Sequence, residues 1–194
     1  MLAFAVALAV AAADPAPLAI VVHGGAGALE KGPYSPEEEA AFKAKLAEAL
    51  DIGYATLERG GAAVDAVESA ITVLEDSPLF NAGKGAVFTR AGKNELDAAI
   101  MNGADGSAGA VAGVERIKNP ISLARAVMEK SPHVMMIGAG AEEFAAEQGI
   151  GFVDPSYFYT EKRWRALQDA LKRETEKKRS EADAPHDFKY GTVG

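Results

Sequence analysis

The chain ends Tyr190-Gly191-Thr192-Val193-Gly194, and the bond between Gly191 and Thr192 is where its residue types could concentrate chemistry. If that bond is cut, the threonine at the new terminus carries a nucleophile, Oγ, and a base, its own α-amine, on one residue. A Gly-Thr pair alone proves nothing, so the remaining blocks must support the reading. His23-Gly24-Gly25-Ala26-Gly27 follows an apolar run and could form a nest of backbone amides for an anion, although glycines there also suit a plain turn. Val134 to Ile137 followed by Gly138-Ala139-Gly140 looks like the start of a dinucleotide fingerprint, but Glu143 stands where the third glycine belongs and opposes a nearby pyrophosphate. Ser77 to Phe88 mixes apolar residues with glycines; such a loop folds under its domain, where its carbonyls need other backbone groups or a hard cation.

With 194 residues, 48% of them hydrophobic, the chain is long enough for one sizeable domain or most of a larger one. A formal charge of −8 disfavours nucleic acid and anionic membrane as partners. The absence of cysteine removes disulfides, thiolate metal sites and a cysteine nucleophile, and His23, His133 and His186 lack ligand spacing. Residues 1–13 read as a signal peptide: Leu2 to Ala13 is apolar, too short to span a bilayer, and ends in three alanines before Asp14-Pro15. No Lys or Arg precedes Lys31, which departs from that pattern. Cleavage there would make the protein periplasmic or secreted; a misplaced start or an extra buried strand would leave it cytoplasmic.

The elements that would hold these residues alternate between strand and helix. Leu18 to Val22 reads as a buried strand entering the glycine turn. Ser35-Pro36-Glu37-Glu38 predicts a capping box, opening a helix with Phe42, Leu46, Ala49, Leu50, Tyr54 and Leu57 on its apolar face and Gly60-Gly61 at its end. A second helix carries Val64, Val67, Ile71 and Leu74 and stops at Ser77-Pro78. Val87-Phe88-Thr89 and Leu96 to Met101 read as a hairpin, and Ala108 to Val114 as a strand crowded on both faces. Asn119-Pro120 opens a helix with Leu123, Val127 and Met128 inward; a strand from His133 to Ile137 and a helix to Gln148 follow. The last helix is predicted from about Thr160 to Glu174, with Trp164, Leu167 and Leu171 buried, and about 175–190 read as a flexible linker.

Taken in order, His23 to Gly27, Pro78 to Gly83 with Gly85 to Thr89, Glu95 to Ala98, Ala108 to Val114, Asn119-Pro120, Ser131 to Met136 and Gly191 to Gly194 resemble the plant-type asparaginase and isoaspartyl peptidase family of N-terminal nucleophile hydrolases. The resemblance runs from about Leu18 to the end. It implies a four-layer αββα sandwich and a precursor cut before Thr192. Residues 14–191 would then be the α subunit, and 192–194 the first residues of a β subunit. In the implied self-cleavage, Thr192 Oγ attacks the Gly191 carbonyl, an ester forms by N-to-O shift, and water frees the α-amine. Gly191 lets the nucleophile approach, and an amine of ordinary pKa near 7.7–8.0 serves as base.

The reaction implied is hydrolysis of L-asparagine or β-aspartyl dipeptides through an acyl-threonine. Asn81, Gly24 and Gly25 are the supporting residues by position, and no cofactor is implied for the catalysis. The resemblance also places a structural sodium ion on the main-chain carbonyls of Leu74, Glu75, Ser77, Phe80, Ala82 and Lys84. The partners implied are a small-molecule substrate, the chain's own β subunit and a second copy, giving an (αβ)2 dimer. The family's oxyanion hole and substrate-carboxylate arginine lie downstream of the nucleophile, beyond Gly194, so the fragment alone is expected to be inactive. Glycosylasparaginases share the nucleophile but place an acidic residue before the cut, where Tyr190-Gly191 stands here. A nucleotide-binding module on Gly138 and Gly140 and a non-catalytic structural fragment are the readings from other classes.

Overall fold

The computed structural model describes residues 17–25 and 34–182, with side chains to residue 177. The capping box forms: Ser35 Oγ accepts the Glu38 N–H at 3.2 Å, and Glu38 accepts the Ser35 N–H at 3.0 Å. It opens α1 (Pro36–Glu58), which pairs with α2 (Ala63–Glu75). Their contact is built from small residues, since Ala49, Gly53, Ala66 and Ala70 are all buried. This corrects the expected α2 stripe: the buried line is Ala66, Ala70 and Leu74, and Val67 is exposed, because close approach of two helices favours side chains that do not hold them apart.

A three-stranded sheet follows, in the order β1 (Leu96–Met101), β2 (Ala108–Val114), β3 (Met135–Ile137). β1 pairs antiparallel with β2, which pairs parallel with β3. One face packs against α3 (Pro120–Lys130) and α4 (Gly138–Glu147), enclosing Ile100, Val111, Val114, Leu123 and Val127. Gly109 allows the closest approach, because a side-chain carbon there would collide with the Ala124 carbonyl and the Met128 amide. Among the described residues no element covers the opposite face, so the expected cover on both sides is seen on one. Ala99, Ala110 and Met135 lie in register across it, and Met101, Met135 and Ile137 are more than half exposed.

Two predicted strands are absent. Leu18 to Val22 forms no ladder, since among the described residues no strand lies beside it; Ile20 and Val22 still pack on α1 and α2, and Gly53 leaves room for Ile20. Val87 to Thr89 pairs with no strand either. Thr89 closes the turn, its N–H donating to the Lys93 carbonyl at 2.7 Å, but the residues before it are held by side chains: Asn94 Nδ2 donates to the Ala86 and Val87 carbonyls, and the Val87 N–H donates to Asn81 Oδ1 at 2.9 Å. β1 is thereby left to β2.

The last helix, α5 (Glu161–Ala182), continues past Glu174, so 175–182, read as linker, are helical. Runs of Glu, Lys and Arg favour helix without needing a buried face. Trp164, Leu167 and Leu171 are half-buried, not buried, and Trp164 stacks edge-on with Phe88 at 5.2 Å. Among the described residues no helix is long and apolar enough to cross a membrane. The signal-like residues 1–13 and the Gly191-Thr192 bond lie outside the described residues.

Candidate active site

A cavity of about 480 Å³ opens where the Leu18–Gly25 segment, α1, the loop after α2 and the start of α5 meet. His23, Gly24, Gly25, Phe80, Asn81 and Arg163 are on its wall. Gly24 is pressed by Leu46 and Phe80, with a hypothetical Cβ 3.2 Å from the leucine, and Gly25 has φ near +111°, open to glycine at little cost. The Gly25 N–H donates to His23 Nδ1 at 3.3 Å, folding the glycine turn onto its own histidine. Asn81 presents its side-chain oxygen to Val87, so it ties the loop shut at the cavity rim. The three supporting residues are thus brought together.

The loop itself is drawn tight. α2 ends at Glu75, Ser77 is buried with its Oγ accepting the Leu79 N–H, and Phe80 is buried edge-on against Phe42 at 5.5 Å. A 3₁₀ turn, Gly83–Gly85, then doubles back, so that Gly83 lies against the Glu75 carbonyl and Gly85 against the Phe80 carbonyl. Of the six carbonyls assigned to sodium, that of Leu74 accepts the Ser77 N–H and that of Ala82 accepts the Gly85 N–H. Between described residues, no hydrogen bond ends on those of Glu75, Ser77, Phe80 or Lys84. These four carbonyls, without a donor among the described residues, are oxygens of the kind a hard cation takes, whereas those of Leu74 and Ala82 are already engaged. The Lys84 ammonium lies over the Tyr157 ring at 5.3 Å.

Glu75 also carries a buried carboxyl. Its Oε1 accepts the Ile121 N–H at the start of α3 at 3.0 Å, while Oε2 has no hydrogen-bond partner among the described residues. Burial pushes this carboxyl up to about 7, against the pull of the Ile121 amide and of the nearby Asn119 side chain, which is not within hydrogen-bond geometry of Oε2, with Asp76 and Glu68 adding to the rise. Between the ordinary 4.5 and about 7 the folded state keeps a proton that the unfolded state has lost, so stability falls as pH rises through that window. The loss approaches roughly 3 kcal/mol above pH 7. Glu75→Gln keeps the acceptor and removes the ionisation. The full-length variant should melt higher than wild type at pH 8 and not at pH 4.5, with choline as the monovalent cation. Parallel midpoints across that range would show the carboxyl is not the cause.

At the dinucleotide-like turn, Gly138 has φ near +50°, and a Cβ at Gly140 would meet nothing within 4 Å, so the second glycine is not demanded by packing. Glu142, just past the first turn of α4, accepts the Glu115 and Arg116 N–H groups, both at 2.9 Å, and pairs with the Arg116 guanidinium. The turn is tied to the chain leaving β2 by a carboxylate, where a nucleotide site would need room for phosphate.

Arg163, in the first turn of α5, is the wall residue that sequence reading missed. It sits in the run Lys162-Arg163-Trp164-Arg165, where nothing in residue type separates a cavity arginine from its solvated neighbours.

A model of the family described as asparaginase matches residues 16–194, nearly the whole chain and through the Gly191-Thr192 bond. The chain belongs to the asparaginase family. Among asparaginase-family relatives, it is 46% identical over 177 residues to the isoaspartyl peptidase of Salmonella typhimurium, covering 90% of this chain and 56% of that one. It is 47% identical over 176 residues to the isoaspartyl peptidase of Escherichia coli, covering 90% and 55%. It is 49% identical over 154 residues to the plant-type L-asparaginase of Pyrococcus furiosus, covering 79% and 49%. The chain spans about half the length of the curated relatives it matches.

Proposed function

We propose that this chain is the nucleophile-bearing half of a threonine amidohydrolase that cuts its own precursor before Thr192 and then hydrolyses L-asparagine and β-aspartyl dipeptides. The observation that carries the reading is the cavity walled by Gly24, Gly25 and Asn81, in a chain whose family match runs through Thr192. The names of its relatives, isoaspartyl peptidase and L-asparaginase, supply the substrate class. In the cut, Thr192 Oγ adds to the Gly191 carbonyl, the C–N bond breaks to leave an ester, and water releases Gly191 as a carboxylate. In turnover the freed amine takes the Oγ proton, the oxygen attacks the β-carbonyl, ammonia or an amino acid leaves, and water discharges the acyl-threonine.

The open face of the sheet, with Ala99, Ala110 and Met135 in line, suits a second sheet supplied by the rest of the protein, giving the αββα sandwich. An (αβ)2 assembly is part of the same reading. The Leu74–Lys84 loop would hold sodium by its carbonyls, where the ion would fix the backbone behind Phe80 and Asn81. The test is the full-length chain, purified and followed for appearance of two fragments and for ammonia released from asparagine. A chain that stays whole and inert would overturn the proposal.

A further inference from the structure

We propose that Arg163 recognises the carboxylate of the amino acid that leaves when a β-aspartyl dipeptide is cleaved, and so sets the preference for dipeptide over free asparagine; this rests on the amidohydrolase reading above. Arg163 is half-buried in the cavity wall, and its Nε donates to the Gly85 carbonyl at 2.8 Å, which fixes the guanidinium against the Gly83–Gly85 turn. A guanidinium carries five N–H donors in a rigid fork, and this bond uses one. Among the described residues no carboxylate lies within ion-pair distance of it, although its helix neighbours Lys162 and Arg165 pair with Glu38 and Glu161. Arg125, the other half-buried arginine among the described residues, holds three carboxylates, those of Asp65, Glu68 and Glu129. A half-buried guanidinium on a cavity wall, with no carboxylate partner among the described residues, is suited to take an anion.

The substrate chemistry narrows which anion. Asparagine and a β-aspartyl dipeptide share the aspartyl group and its α-carboxylate, and they differ only in what leaves. Ammonia brings no charge, whereas a leaving amino acid brings a second carboxylate. The apolar remainder of the wall, Phe42, Leu79 and Phe80, suits the side chain of that residue, and about 480 Å³ accommodates a dipeptide.

The test uses the full-length processed protein as wild type, Arg163→Gln and Arg163→Lys. Its substrates are asparagine, a β-aspartyl dipeptide, and the same dipeptide amidated at the leaving residue's carboxylate. Wild type should prefer the free acid to the amide. Arg163→Gln should lower kcat/KM on the free dipeptide, through KM, by on the order of tenfold more than on asparagine, and should treat acid and amide alike. Arg163→Lys, which keeps the charge without the fork, should fall between. Equal losses on asparagine and dipeptide would reduce Arg163 to a prop for the Gly85 carbonyl and overturn the proposal. So would a wild type indifferent to amidation, a comparison that needs no variant to fold. Wild type inert toward every substrate would instead sink the amidohydrolase reading, and this one with it.

Discussion

Thr192→Ala in the full-length chain should leave one uncleaved polypeptide and depress ammonia release from asparagine by on the order of 10⁴ or more, because it removes the nucleophile proposed for both reactions. The effect is large because the attacking oxygen of both proposed steps leaves with the side chain, and alanine supplies none. Thr192→Ser restores an Oγ and should recover both cleavage and turnover in part, which a merely structural threonine would not require. Intact mass of the purified proteins reads the first effect and an ammonia assay the second. The freed α-amine adds a pH signature. It acts as base only when neutral, so kcat/KM should rise as pH passes through about 7.7–8.0. An alanine variant that still splits, or still releases ammonia, would remove Thr192 from the mechanism.

How far the sequence revealed this arrangement depends on whether a feature is local. The Ser35 box, the Pro120 start of α3 and the Leu123–Val127 face are set by residues a few positions apart, and they stand where the sequence puts them. The strand at Leu18–Val22 and the half-hairpin at Val87–Thr89 have strand composition but need a neighbour. Among the described residues the first has none, and the second is held by Asn81 and Asn94 instead. The inward turn of Ala66 and Ala70 in place of Val67 was hidden because apolar periodicity ranks the larger residue as buried. The helices meet where the smaller ones allow. At the site, Gly24, Gly25 and Asn81 were legible through the resemblance, and the cavity brings them together. Arg163 was not legible, since its place on the cavity wall and its want of a carboxylate partner among the described residues appear only in the fold.

Gly85→Ala should lower the stability of the full-length protein by on the order of 3 kcal/mol, a drop of several degrees in Tm, and blunt any stabilisation by sodium over choline. A methyl group at Gly85 would overlap the Phe80 carbonyl and crowd that of Pro78. Both are backbone atoms, so the collision cannot be relieved by turning a side chain. The loop must move, and Phe80, buried against Phe42, must move with it. The shift would disperse the Glu75, Ser77, Phe80 and Lys84 carbonyls that have no hydrogen-bond donors among the described residues, and it would carry Asn81 off the Val87 amide at the cavity rim. Wild type should therefore melt higher in sodium than in choline at equal ionic strength, and Gly85→Ala should show little of that difference. Gly140→Ala is the matched control: a Cβ there meets nothing within 4 Å, so its Tm should stay near wild type and its sodium response intact. A wild type insensitive to the exchange of sodium for choline would strip the loop of its ion and leave Gly85 a purely steric requirement. A sodium response that survives Gly85→Ala undiminished would place the ion elsewhere in the protein.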